Sequence, residues 1–169
     1  MNKVKVSIKR KVILKCKEEI SKCILYFLYK GFKVLYKYDN ELKKELMGLP
    51  ENFSVNIQIA PKGYRLCLSK KNEEVSKRKR NANPDMNICF NNIDVAFKTL
   101  IGLKGISKAY SEHAFTLKGN VNEGMKLVRC IDIIEAYLFP KFMAKRILKQ
   151  IPKKTLNPIR TYMHVIFEY

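Results

Sequence analysis

Residues 92–140, NIDVAFKTLIGLKGISKAYSEHAFTLKGNVNEGMKLVRCIDIIEAYLFP, decide the fold. An asparagine opens a short apolar helix carrying Phe97 and Leu100, and Gly102 and Gly105 break it. The spacing then changes to alternation, with Phe115 and Leu117 on one side of a single strand that ends at Gly119-Asn120. From there Leu127, Ile131, Ile134 and Leu138 fall at i, i+4, i+7 and i+11. That is one apolar stripe of a long helix, which Asn120 or Asn122 can cap. Lys126, Arg129, Asp132 and Glu135 read as its solvent face, and Pro140 stops or kinks it. A strand with apolar helices on both sides builds a greasy cavity more readily than a catalytic centre.

Working towards the N-terminus, MNICFN (86–91) alternates, with Met86, Ile88 and Phe90 on one face. FSVNIQIA (53–60) and YRLCLS (64–69) also alternate, and Pro61-Lys62-Gly63 between them signals a hairpin turn. At least four strands therefore carry one apolar and one polar face, the pattern of an antiparallel sheet whose apolar face is covered by helices. KKNEEVSKRKRNANPD (70–85) reads as a solvated arm or loop. Val12 to Tyr36 favours helix with Gly31 as a possible break, Met1 to Lys11 reads as a frayed strand or tail, and Asp39 caps a second helical piece, NELKKELMG. Beyond Pro140, KFMAKRILKQ reads as another helix. In RTYMHVIFEY, Met163, Val165 and Phe167 alternate, which predicts a last strand or extended tail. The expected organisation is a helical arm over 1–50 packed on the domain, a ligand-binding domain over 51–151 and the tail over 152–169.

The formal charge is +19, with lysine far in excess of arginine. Such a surface attracts anions weakly, and membrane contact is one outcome. A basic nucleic-acid- or anionic-membrane-binding module without a ligand cavity is the alternative reading, resting on Lys77-Arg78-Lys79-Arg80 and the N-terminal lysines. Specific nucleic-acid recognition is not expected, since that run has no interleaved aromatics. Five cysteines without a CxxC pair suit a reducing, cytoplasmic protein without disulfides or zinc. His113 and His164 lack any metal-ligand spacing. No Gly-rich phosphate loop or nucleophile–base pair is present, so no catalytic residue, metal or cofactor is expected.

The order helix, hairpin, strand, helix, Gly102, Ala109, AFTLKG, Gly119-Asn120 and a helix carrying Met125 and Leu127 resembles the sterol carrier protein (type 2) lipid-binding family over about Asn52 to Phe139. The resemblance implies an α+β fold: a mostly antiparallel five-stranded sheet with helices packed on one face around an apolar tunnel. It also implies non-catalytic binding or transfer of a fatty acid, acyl-CoA or sterol-like lipid. Carried over by position, Phe97, Leu100, Ile101, Phe115, Leu117, Met125, Val128, Ile131 and Ile134 are the candidate lipid-binding walls. Lys104, Lys108 or Lys118 would meet a polar head at the mouth. The chain departs from the family in having Asn120 where Asp is frequent, a charged connection over 70–85 and a longer N-terminal arm.

Overall fold

The computed structural model describes residues 2–71, 74–79, 83–140, 144–145, 148 and 158–167. Helix α1 (Asn2–Tyr38) is continuous, so the segment expected to fray is helical and Gly31 is not a break. Leu25, Leu28, Phe32 and Leu35 recur at helical spacing and are buried, so packing holds the C-terminal part of the helix. Gly31 is a contact point instead: a Cβ there would lie 2.5 Å from Cγ2 of Ile134 in the long helix after β5. Asp39 ends α1 and caps α2 (Asn40–Met47), accepting a hydrogen bond from the Leu42 N–H at 2.9 Å. Its other carboxylate oxygen accepts from the buried Tyr137 hydroxyl at 2.7 Å, which ties this corner to the same long helix.

The strands are β1 (Ser54–Gln58), β2 (Arg65–Lys71), β3 (Glu74–Lys77), β4 (Met86–Phe90) and β5 (Phe115–Lys118). They form one five-stranded sheet in the order β3-β2-β1-β4-β5. The sheet is mixed, which corrects the mostly antiparallel expectation: β1 and β4 pair in parallel, with Ile57 opposite Ile88, and antiparallel pairs flank them. Period-2 alternation is the same in either direction, so it shows the covered face but not the sense of the neighbour. Here the crossover between the parallel strands contains β2 and β3 instead of a helix, so the usual βαβ sequence signal is missing. The Ser54 N–H and hydroxyl both donate to the Asp85 carboxylate, at 2.8 and 2.6 Å, and fasten β1 to the start of β4. Those hydrogen bonds hold the Asp85 carboxyl below its usual range. β3 lies in the stretch read as a solvated loop; only Val75 of its four residues is buried, so as a short charged edge strand it leaves little periodic trace.

Helix α3 (Ile93–Leu100), helix α4 (Ile106–Ser111) and helix α5 (Val121–Leu138) follow the predicted order, with Asn92 and Asn120 capping α3 and α5. Gly119, at φ +136°, has a position where a Cβ would meet the Asp85 carbonyl oxygen at 2.5 Å, so only glycine fits between β5 and the start of β4. The C-terminal segment is helix α6 (Pro158–Phe167), not the expected extended tail. Thr161 and Val165, one helical turn apart, are buried, whereas Met163 is exposed. The alternation of Met163, Val165 and Phe167 thus selects the wrong inward set. Most of the helix expected over 141–150 lies outside the described residues. The helices gather on the apolar face of the sheet, and one core joins α1, α2, α3 and α5 to Val55, Ile57, Leu66, Leu68, Met86, Ile88 and Phe115. No described helix is long and apolar enough to cross a membrane.

Candidate functional site

The core does not close completely. A cavity of about 370 Å³ lies between the sheet and the helices, within the range of small-molecule sites. Helix α1 supplies Ile24, Leu25, Phe27 and Leu28, and the strands supply Ile57, Ile88, Phe90, Phe115 and Leu117. Thr99, Leu100 and Ile106 come from α3 and α4; Val128, Ile131, Glu135 and Leu138 come from α5, with Phe139 just past its end. Tyr162, Val165 and Ile166 of α6 complete the wall. Phe27, Tyr162 and Ile166 are also exposed, which places the mouth between α1 and α6. The alternation of β4 and β5 turns Phe90 and Phe115 to the same face, and their rings meet edge-on at 5.3 Å.

Of the nine residues named from sequence, Leu100, Phe115, Leu117, Val128 and Ile131 come together on this wall. Four do not. Phe97 is half-buried away from the cavity wall, with the Lys17 ammonium of α1 over its ring. Ile101 ends α3 outside the cavity. Met125 is exposed, and Ile134 is fully buried against Gly31. Sequence reasoning misses the walls from α1 and α6, because nothing in their spacing marks either helix as facing a cavity. Lys104, Lys108 and Lys118 do not line the cavity, and Lys104 is paired with Glu112.

Glu135 also departs from expectation. The solvent-face reading holds for Arg129, which bonds Glu45 at 2.9 Å, but Glu135 is only 7% exposed and faces the cavity. Its side chain has no hydrogen-bond partner among the described residues. Burial, with the Asp132 charge one turn earlier adding to it, pushes the Glu135 carboxyl up to about 8. Burial pushes Asp132 up to about 6. The other polar wall groups are the Thr99 hydroxyl, which donates to the Val95 carbonyl at 3.0 Å, and the Tyr162 hydroxyl, which donates to the Leu138 carbonyl. The buried Cys130 thiol is pushed up to about 12 by burial and behaves as a small hydrophobe. Among the described residues no cluster of three His, Cys, Asp or Glu is placed to hold a metal. The arrangement can hold an apolar molecule and hydrogen-bond to it at Glu135.

No family model matches the chain, and no curated protein matches it. Solved structures do. The chain is similar to a protein described as UbiJ-SCP2, a ubiquinone synthesis protein, at 15% identity and TM-score 0.46, over 63% of this chain and 95% of that one. It is similar to sterol carrier protein 2 like 2 from Aedes aegypti at 14% identity and TM-score 0.41, over 64% and 96%. A palmitated form of that mosquito protein matches at 16% identity and TM-score 0.41, over 62% and 91%. Its structural neighbours are sterol-carrier-like proteins.

Proposed function

We propose that this protein binds a lipid in the cavity between sheet and helices, as a non-catalytic carrier, and does no chemistry on it. The observation that carries this reading is the cavity itself. It is an apolar space in the range of small-molecule sites, walled from α1, the sheet, α3, α4, α5 and α6, and among the described residues its ionisable groups are one buried carboxyl and one tyrosine. A fatty acid, an acyl chain of an acyl-CoA or a sterol-like molecule is the class such walls suit, held as in a tunnel. The affinity comes from removing hydrocarbon from water, about 0.8 kcal/mol per methylene, so each methylene that fits tightens binding by about fourfold. The ligand enters and leaves by transient contact with anionic membrane at the exposed α1–α6 rim.

Mass spectrometry of the purified protein, native and after organic extraction, tests the reading. A stoichiometric co-purified lipid is the expected result. A protein that is empty and also ignores added lipids of graded chain length overturns it. Leu117→Asp and Ile131→Asp, each placing a charge in the wall, are expected to weaken lipid binding by at least about a hundredfold in protein that still gives the wild-type circular dichroism spectrum.

A further inference from the structure

We infer that Glu135 is the polar anchor of the cavity and selects an uncharged lipid ending in a hydroxyl, a fatty alcohol, over a fatty acid anion. The inference rests on the lipid-binding reading above and specifies its ligand. The hydrogen-bond inventory of the wall decides it. The Thr99 and Tyr162 hydroxyls already donate to backbone carbonyls, so towards the cavity they can only accept. The Glu135 side chain has no partner among the described residues, although it is more than nine-tenths buried and lines the cavity. The carboxyl opens onto the cavity, and a ligand group that hydrogen-bonds to it there gains affinity by that route. With its carboxyl pushed up to about 8, Glu135 is largely protonated near neutrality and offers one O–H donor together with an acceptor oxygen. An alcohol accepts from that O–H and donates its own proton to an oxygen of the wall.

A carboxylate meets the opposite situation. No lysine or arginine among the described residues lines the cavity, so no described wall residue compensates a buried anion. Asp132 acts on Glu135 from its own helix, the other polar groups of the described wall are Thr99 from α3 and Tyr162 from α6, and the described wall residues of α1 and the strands are hydrocarbon side chains. Above about pH 8, where Glu135 itself ionises, a fatty acid anion would place two negative charges in one low-dielectric space. The basic surface, at a formal +19, lies outside the cavity and is screened by water and salt.

The test is isothermal calorimetry of the full chain with 1-dodecanol and with dodecanoate, at about pH 7 and about pH 9, for wild type and Glu135→Gln. Wild type is expected to bind dodecanol at least about tenfold more tightly than dodecanoate at the higher pH, with a smaller preference at the lower. Glu135→Gln keeps the side-chain size and hydrogen bonding without the charge. It is expected to hold dodecanol within about threefold of wild type, to bind dodecanoate about tenfold better at the higher pH, and to lose the pH dependence of the preference. Equal wild-type affinity for the two probes, or a preference that Glu135→Gln leaves unchanged, overturns the role of Glu135 and leaves the lipid cavity standing. Failure of wild type to bind either probe overturns the cavity reading itself.

Discussion

At the scale of single residues, Glu135 carries a consequence for stability as well as for the proposed ligand choice. Its carboxyl ordinarily titrates at 4.5 and is raised to about 8 in the fold. The folded state therefore holds the proton more tightly than the unfolded chain, and stability falls as pH rises through the window between those two values. Glu135→Gln should match wild type below that window and exceed it by up to several kcal/mol above it, because a tenfold difference in proton affinity corresponds to about 1.4 kcal/mol. Urea unfolding at several pH values checks this, and parallel curves for the two proteins would sink it. The position is legible in one sense and hidden in another. Glu135 lies four residues after Ile131, on the apolar stripe by helical period, but its charge assigns it to the solvent side. Gly31 shows a similar conflict: propensity marks it as a break, whereas the approach of Ile134 requires it. Gly31→Ala gains up to about 1 kcal/mol of helix propensity but forces a β-branched, fully buried neighbour to move, a cost of about 1–3 kcal/mol. Net destabilisation is expected in thermal unfolding.

At the scale of elements, Asp39 joins three helices by ending α1, capping α2 and accepting the Tyr137 hydroxyl of α5. Asp39→Ala removes the cap, about 1 kcal/mol, and strips a buried hydroxyl of this acceptor, a further 1–3 kcal/mol or so. Asp39→Asn keeps the cap and should cost less. A loss below about 1 kcal/mol in urea unfolding for Asp39→Ala would mean that this corner relaxes freely. The cap of α2, the hairpin and β4, β5 and α5 can all be read from the chain, because capping and periodicity are local signals. What cannot be read depends on partners distant in sequence. The parallel sense of β1 and β4 comes from a crossover made of strands, β3 is an edge strand with one buried side chain, and α6 is a helix whose few residues also alternate. The cavity follows the same division. Leu100, Phe115, Leu117, Val128 and Ile131 come from elements with clear period, whereas the walls from α1 and α6 depend on where those helices dock.

At the scale of the whole molecule, the proposed carrier role makes the charge and the cavity bear on one process, the delivery of a lipid. The formal charge of +19 gives the protein attraction to an anionic bilayer at long range. The N-terminal part of α1 adds Val12, Ile13 and Ile20, all exposed, among lysines, and Phe27 is exposed at the cavity rim. Two forces of different salt dependence are thus available. Coulomb attraction between surface charges fades as the Debye length shrinks from about 10 Å at 0.1 M to about 3 Å at 1 M salt, whereas hydrocarbon insertion is nearly indifferent to salt over that range. If charge brings the protein to the membrane, co-sedimentation with vesicles containing phosphatidylserine should be strong at about 0.05 M salt and mostly lost by about 0.5 M, and vesicles of phosphatidylcholine alone should not bind. If binding to both kinds of vesicle persists at high salt, the apolar side chains of α1 carry it. Val12→Ser together with Ile13→Ser would then release the protein, while exchange of its lysines would not. The first pattern fits a carrier that touches a membrane briefly, because an attraction that salt can cancel is also one the protein can leave once its cavity is filled.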